Sequence, residues 1–193
     1  MRNRDVIVIG SSAGGVSALK DIVGSLPANF AATIFIVQHI APDSISLLPG
    51  ILSFKGNISA AHAVDGEKFE KGKIYIAPPD RHLLIEGDHM LVTKGPQEKR
   101  FRPSINALFR SAAYSHGNRV IGVVLTGMLD DGTSGMWSVK RLGGISIVQK
   151  PEDAAYSSMP ESVLEHVNVD HVLQLSEIGP LLNTLVLESV VEC

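Results

Sequence analysis

Short apolar runs alternate with stretches of helical period along the first quarter of the chain. Residues 5–9 (DVIVI) are a β-branched run that stops at Gly10, the pattern of a buried strand. From Gly15 the period changes: Val16, Leu19, Val23 and Leu26 recur at helical spacing, and Pro27 ends the helix. Residues 33–37 (TIFIV) repeat the buried-strand pattern and lead into Gln38 and His39. Residues 44–54 place Ile45, Leu48 and Leu52 on one helical face, with Pro49 and Gly50 interrupting the pattern. This strand–helix–strand–helix order predicts a parallel sheet covered by helices on both faces.

The middle of the chain reads differently. Residues 73–77 (KIYIA) alternate like a strand, and residues 82–86 and 89–93 flank Gly87-Asp88, a hairpin turn. Residues 103–115 predict a helix with proline near its start. Residues 119–125 (RVIGVVL) predict another buried strand, and 134–142 a helix closed by Gly143 and Gly144. Residues 145–149 (ISIVQ) predict a further strand, and about 160–190 two more helical stretches. No repeat, low-complexity segment or linker divides the chain, so residues 1–193 read as one domain. The expected fold class is α/β: an open, mainly parallel, doubly wound sheet with helices on both faces and an antiparallel hairpin.

Composition narrows the function. Hydrophobic residues make up 45% and charged residues 19%, a globular balance able to bury a core without disulfides or metals. The formal charge of -3 gives no reason to expect nucleic acid as a partner. No apolar run is long enough to span a bilayer, and the apolar stretch after the basic start is too short for a signal peptide. The single cysteine, Cys193, cannot form an internal disulfide, which fits a reducing, cytoplasmic setting. Oligomeric state is not legible.

The candidate chemistry sits at strand ends. Gly10-Ser11-Ser12-Ala13-Gly14 matches the nucleophile-elbow pattern G-x-S-x-G between a strand and a helix. Such a turn lifts the central hydroxyl, here Ser12, above the sheet, and needs small neighbours where the backbone visits positive φ. The competing reading is that Ser11 or Ser12 caps the helix. A dinucleotide fingerprint fails, because Ser12 stands where its second glycine belongs and His39 where a carboxylate belongs. His39 ends the second strand, on the same sheet edge as Ser12, where an imidazole can take a serine proton. A carboxylate in the segment LTGMLDDG (125–132), Asp130 or Asp131, follows the strand at 119–125 and can orient that imidazole. The paired Asp130 and Asp131 also suggest a hard cation, but no second acidic cluster joins them, so no metal or cofactor is expected. Lys94, Lys99, Arg100 and Arg102 form a basic cluster that either steers an acidic partner or is simply solvated. Asp80, Arg81 and His82 either line the site or fix the turn before the hairpin.

At these residues the chain resembles the bacterial chemotaxis protein-glutamate methylesterases. The shared motifs are VIGSSAGG (8–15), IVQHIAP (36–42), GKIYIAPPDRHL (72–83), RPSINALF (102–109), GVVLTGMLDDG (122–132) and Met159-Pro160. The resemblance implies a serine hydrolase with Ser12 as nucleophile, His39 as base and Asp131, not Asp130, as orienting acid. It implies an oxyanion site at the backbone N–H of Met128, with Ala13 as a further candidate. The implied substrate is the helical cytoplasmic region of a methylated chemoreceptor, with deamidation of selected glutamines as a second activity. The sequence departs from the family in two ways: Ala13 replaces the usual threonine, and the usual N-terminal receiver domain is not in this sequence. Two rival readings remain on sequence alone, a non-catalytic binding module and a small-molecule carboxylesterase.

Overall fold

A computed structural model describes residues 2–190; the reading made of Cys193 lies outside them. In chain order the elements are β1 (Arg2–Asn3), β2 (Val6–Ser11), α1 (Gly15–Gly24), β3 (Thr33–Gln38), α2 (Leu48–Lys55), β4 (Ser59–His62) and β5 (Lys73–Ile76). There follow β6 (His82–Glu86), β7 (His89–Thr93), α3 (Ile105–His116), β8 (Val120–Val124), α4 (Thr133–Arg141) and β9 (Ile145–Gln149). The chain continues through α5 (Ser158–His166), β10 (His171–Leu173), α6 (Leu175–Leu185) and β11 (Ser189–Val190).

Seven strands form one sheet in the order β10-β9-β8-β2-β3-β5-β4, and every pairing in it is parallel. All six residues of β2 and all six of β3 are buried, because helices cover both faces. Strand periodicity divides the core into two layers. Ile7, Ile9, Ile34 and Ile36 pack on one face against α1, α2 and α6. Val6, Val8, Phe35 and Val37 pack on the other against α3, α4 and α5. The expected doubly wound α/β architecture is therefore the one observed.

Several boundaries differ from the sequence reading. The hairpin β6–β7 forms its own two-stranded sheet and lies on α3, where the Ser111 and Ser115 hydroxyls accept the Ile85 and Gly87 N–H groups. The predicted 44–54 helix starts only at Leu48, so Pro49 falls in the first turn, where its missing N–H is harmless. Ile45 lies before it and is 89% exposed. The stretch 160–190 is not helical throughout: β10 interrupts it and pairs with β9. Edge strand β4 and the short β1–β11 ladder were not anticipated.

Candidate active site

Strand β2 occupies the point where the chain changes direction across the sheet, with β3 on one side and β8 on the other. Ligands in such sheets bind beyond the carboxyl ends of the strands at this switch point. The register places Ser11 opposite Gln38 and Gly10 opposite Val124, so Ser12 and His39 are the next residues out on neighbouring strands. Cross-strand backbone bonds continue past the strands: Ser12 N–H donates to Thr126 O (3.0 Å) and His39 N–H to Ser11 O (3.0 Å).

The two serines of the turn have different surroundings. Ser11 is fully buried and its hydroxyl donates to Gln38 Oε1 (2.7 Å). Gln38 Nε2 in turn donates to the carbonyls of Ser12 (2.8 Å) and His39 (2.9 Å), tying the two strand ends together. Ser12 is half-buried, and no side chain caps α1, whose N-cap is Gly14 at φ 78°. Gly14 is thus the position that requires positive φ. Gly10 lies inside β2, and its missing Cβ instead makes room for Ile105.

Asp131 is completely buried and accepts four hydrogen bonds. Oδ1 takes Ser104 Oγ–H (2.9 Å) and Asn106 N–H (3.0 Å); Oδ2 takes Ile105 N–H (2.7 Å) and His39 Nε2 (2.8 Å). A negative carboxylate therefore sits at the N-terminus of α3, where free N–H groups and the helix dipole favour it. Asn106 returns the arrangement: its Oδ1 accepts the N–H groups of Gly132 (3.0 Å) and Gly135 (2.7 Å) at the start of α4. The two helices cap each other across the site. Asp130 points the other way, to Lys99 Nζ (2.6 Å) in solvent.

With Nε2 spent on Asp131, His39 Nδ1 is buried and has no hydrogen-bond partner. No hydrogen bond links Ser12 Oγ to His39 among the described residues. One face of the imidazole is covered by Phe101, whose ring is stacked at 3.7 Å between centroids and 7° from parallel.

The segment after β8 runs close to Ser12. A Cβ on Gly127 would lie 2.8 Å from Ser12 Cβ and would strike Met159 Sδ, so only glycine fits there. Thr126 Oγ donates to Ala13 O (2.9 Å) and accepts Tyr156 N–H (2.9 Å), while Gly127 N–H donates to Tyr156 O (3.0 Å). These bonds fix the peptide leading into Met128. Among the described residues the N–H groups of Met128 and Ala13 have no partner, and Leu129 then turns the chain at φ 68°. A hydroxyl, an imidazole–carboxylate pair and two free N–H donors converge on one sheet edge, a set able to support acyl transfer.

Residues 7–182 match the CheB methylesterase family. The chain belongs to that family. A Leptospira interrogans protein named "Putative protein-glutamate methylesterase/protein-glutamine glutaminase" is 41% identical over 180 residues, 93% of each chain. A Thermotoga maritima protein named protein-glutamate methylesterase/protein-glutamine glutaminase is 36% identical over 185 residues, 94% of this chain and 54% of that one. The crystal structure of the Thermotoga maritima CheB methylesterase catalytic domain superposes with a TM-score of 0.91 at 35% identity, covering 94% of this chain and 98% of that one.

The remaining CheB-like motifs have structural work around the site. RPSINALF supplies Ser104, Ile105 and Asn106, three of the residues that hold Asp131 or its loop. Met159 N–H donates to Gly127 O (3.0 Å). His82 is buried; its Nε2 donates to Pro96 O (2.9 Å) and its Nδ1 accepts Ser104 N–H (3.2 Å). Asp80 accepts Arg102 (2.7 Å) and Lys94 (3.1 Å), and these hydrogen bonds, Arg102 first, hold its carboxyl below the usual range. Asp80 and His82 thus fix the turn. A cleft of about 360 Å³ opens beside the imidazole, lined by His39, Pro42, Arg100, Phe101 and Arg102. Among the described residues no group of three His, Cys, Asp or Glu side chains could hold a metal, and no helix is long and apolar enough to cross a membrane.

Proposed function

We propose that this chain is a protein-glutamate methylesterase that hydrolyses glutamate γ-methyl esters on the cytoplasmic helices of methylated chemoreceptors and, by the same chemistry, deamidates selected glutamines. Ser12 is the nucleophile, His39 the general base and Asp131 its orienting acid. Residues 1–193 act as a single catalytic domain. The observation that supports this most is the His39–Asp131 bond at Nε2, which leaves a buried, unpartnered Nδ1 on the strand end beside Ser12.

The carboxylate keeps the imidazole proton on Nε2, so the Nδ1 lone pair is free to take a proton. As Ser12 Oγ attacks the ester carbonyl carbon, its proton moves to His39 Nδ1. The imidazolium gains the Asp131 charge and the Phe101 ring face. The carbonyl oxygen becomes an oxyanion that accepts the N–H groups of Ala13 and Met128, an effect worth about 3 kcal/mol per donor in sites of this kind. Collapse breaks the bond to the methoxy oxygen, which leaves with the Nδ1 proton as methanol. Water then gives a proton to His39, attacks the acyl-serine, and restores Ser12 as the glutamate is released. For a glutamine the leaving group is ammonia.

The test is methanol release from a methylated chemoreceptor cytoplasmic fragment, comparing the native chain with Ser12→Ala. Release by the native chain alone is expected. Equal release by both removes Ser12 from the nucleophile role. Hydrolysis of short esters without hydrolysis of the receptor fragment makes the chain a small-molecule carboxylesterase. Binding of the fragment with no turnover of any ester makes it a binding module.

A further inference from the structure

The turn at residues 98–101 carries one charge that no side chain among the described residues answers. Glu98 and Phe101 exchange both backbone hydrogen bonds (3.1 and 2.8 Å), and Lys99 and Arg100 between them have φ of 50° and 72°. That is the geometry of a two-residue type I′ turn, which ordinarily uses Asn and Gly. Three of its four side chains are anchored. Glu98 pairs with Arg110 (2.6 Å), Lys99 pairs with Asp130 (2.6 Å), and Phe101 stacks on His39. The fourth, Arg100, is exposed and forms no ion pair among the described residues. Its neighbours in the basic cluster each have an acidic partner: Lys94 and Arg102 share Asp80. Arg100 lines the cleft that contains His39 and also the depression formed by Leu129 and Asp130.

Building on the esterase reading, we propose that Arg100 is a specificity-determining residue that binds a carboxylate on the protein substrate next to the side chain being hydrolysed. The reacting ester or amide is neutral, so the group that answers a guanidinium must belong to a neighbouring residue. On a helical substrate a residue three or four positions away lies on the same face. A guanidinium can hold its carboxylate through two parallel N–H donors. Phe101, next in sequence, stacks on the imidazole, so the hydrogen-bonded turn places the Arg100 backbone beside the reacting centre.

Arg100→Asn removes the charge while keeping a residue that tolerates the left-handed backbone; Arg100→Lys keeps the charge. Three substrates separate the effects: a helical receptor peptide with one γ-methyl ester and acidic residues three and four positions away, the same peptide with those residues changed to glutamine, and a small neutral ester, N-acetylglutamate γ-methyl ester amide. For Arg100→Asn the expected result is a KM about fivefold higher on the acidic peptide with unchanged kcat, and no change on the other two. Arg100→Lys recovers most of the KM, and the difference shrinks at high salt. An equal rise on the acidic and glutamine peptides, or no rise on either, overturns the assignment and leaves the esterase reading standing. Hydrolysis of none of the three esters by the native chain overturns the esterase reading and this assignment with it.

Discussion

Replacing Asp131 with asparagine keeps the shape of the side chain and removes its charge, and the four bonds it accepts let the consequence be worked out. An amide has one oxygen to accept and one NH₂ that only donates. If the NH₂ takes the Oδ1 position it meets the Asn106 N–H; if it takes the Oδ2 position it meets the Ile105 N–H. Ser104 can rotate its hydroxyl and accept, but a backbone N–H cannot. Either orientation therefore leaves one buried donor unsatisfied, a loss of about 2 kcal/mol, or about 4–8 °C in Tm for a chain of this size. The Ile105 bond is the shorter, 2.7 Å against 3.0 Å, so oxygen stays favoured at Oδ2. His39 then keeps its Nε2 proton but faces a neutral partner that stabilises the imidazolium less. In the other orientation the amide donates to Nε2, the imidazole proton moves to Nδ1, and the base can no longer accept from Ser12.

Both outcomes weaken the base, and kcat is expected to fall by about 10² to 10⁴. Asp130→Asn is the internal control. Among the described residues its carboxylate reaches only Lys99, in solvent, and that hydrogen bond raises the Lys99 pKa without touching the imidazole. That variant should stay within about twofold of the native kcat. Methanol release at saturating substrate and thermal unfolding, on both variants, make the comparison. A folded Asp131→Asn protein with kcat within tenfold of native would refute the reasoning, and loss confined to Asp130→Asn would move the orienting role to that residue.

Phe101→Leu removes the ring stacked on His39 and should lower kcat about two- to tenfold while leaving the thermal midpoint within a few degrees; an unchanged kcat would make Phe101 a wall of the cleft only. Gly127→Ala places a methyl against Ser12 Cβ and Met159 Sδ, so it should destabilise the fold by about 1–3 kcal/mol and reduce turnover, both read on one preparation by urea unfolding and methanol release. Asp5 provides the pH test. Burial pushes its carboxyl up, but hydrogen bonds from Lys71 and Arg119 together outweigh it and hold the pKa below the ordinary 3.8. A lowered folded pKa contributes stability that is present above the unfolded value and is lost as pH falls through the folded one. Asp5→Asn should therefore cost about 1–2 kcal/mol at neutral pH, with urea midpoints of the two proteins converging below about pH 4; a constant gap down to pH 2 would show that the ion pair is not its source.

The parts of the fold that were legible in sequence are those buried on both faces. β2, β3, β8 and β9 are short, mostly apolar and almost wholly buried segments because they meet helices on both faces and neighbouring strands at their sides, so their pattern needs no knowledge of the rest of the chain. β4 is the opposite case. Its four residues, Ser59–His62, lie on the sheet edge with alternate positions exposed, and what holds them is remote: Ser53 Oγ bonds Ala60, and β5 supplies the ladder. β10 hides for the same reason, as three residues set between two helices and recognisable only beside β9.

The site divides along the same line. Ser12, His39 and the Asp130-Asp131 pair could be placed because each follows a strand whose end the sequence marks, and parallel strands bring their carboxyl ends to one edge whatever the intervening loops do. The residues that make that edge specific could not be chosen this way. Asn106 reads as an ordinary helix residue, yet it caps α4 across 26 positions of sequence, and Ser104, inside the predicted 103–115 helix, is in the structure the N-cap of α3 with its hydroxyl spent on Asp131. Phe101 is one apolar residue among charges until its ring is seen on His39. The cations show the reverse error: Lys94, Lys99, Arg100 and Arg102 look equivalent in sequence, and only the positions of Asp80 and Asp130 distinguish the one without an ion pair among the described residues from the three that have one. Local pattern fixes which residues reach the edge. The contacts that choose among them, Asp131 over Asp130 and Arg100 over Arg102, are made by partners far away in the chain, so they depend on the fold being already in place.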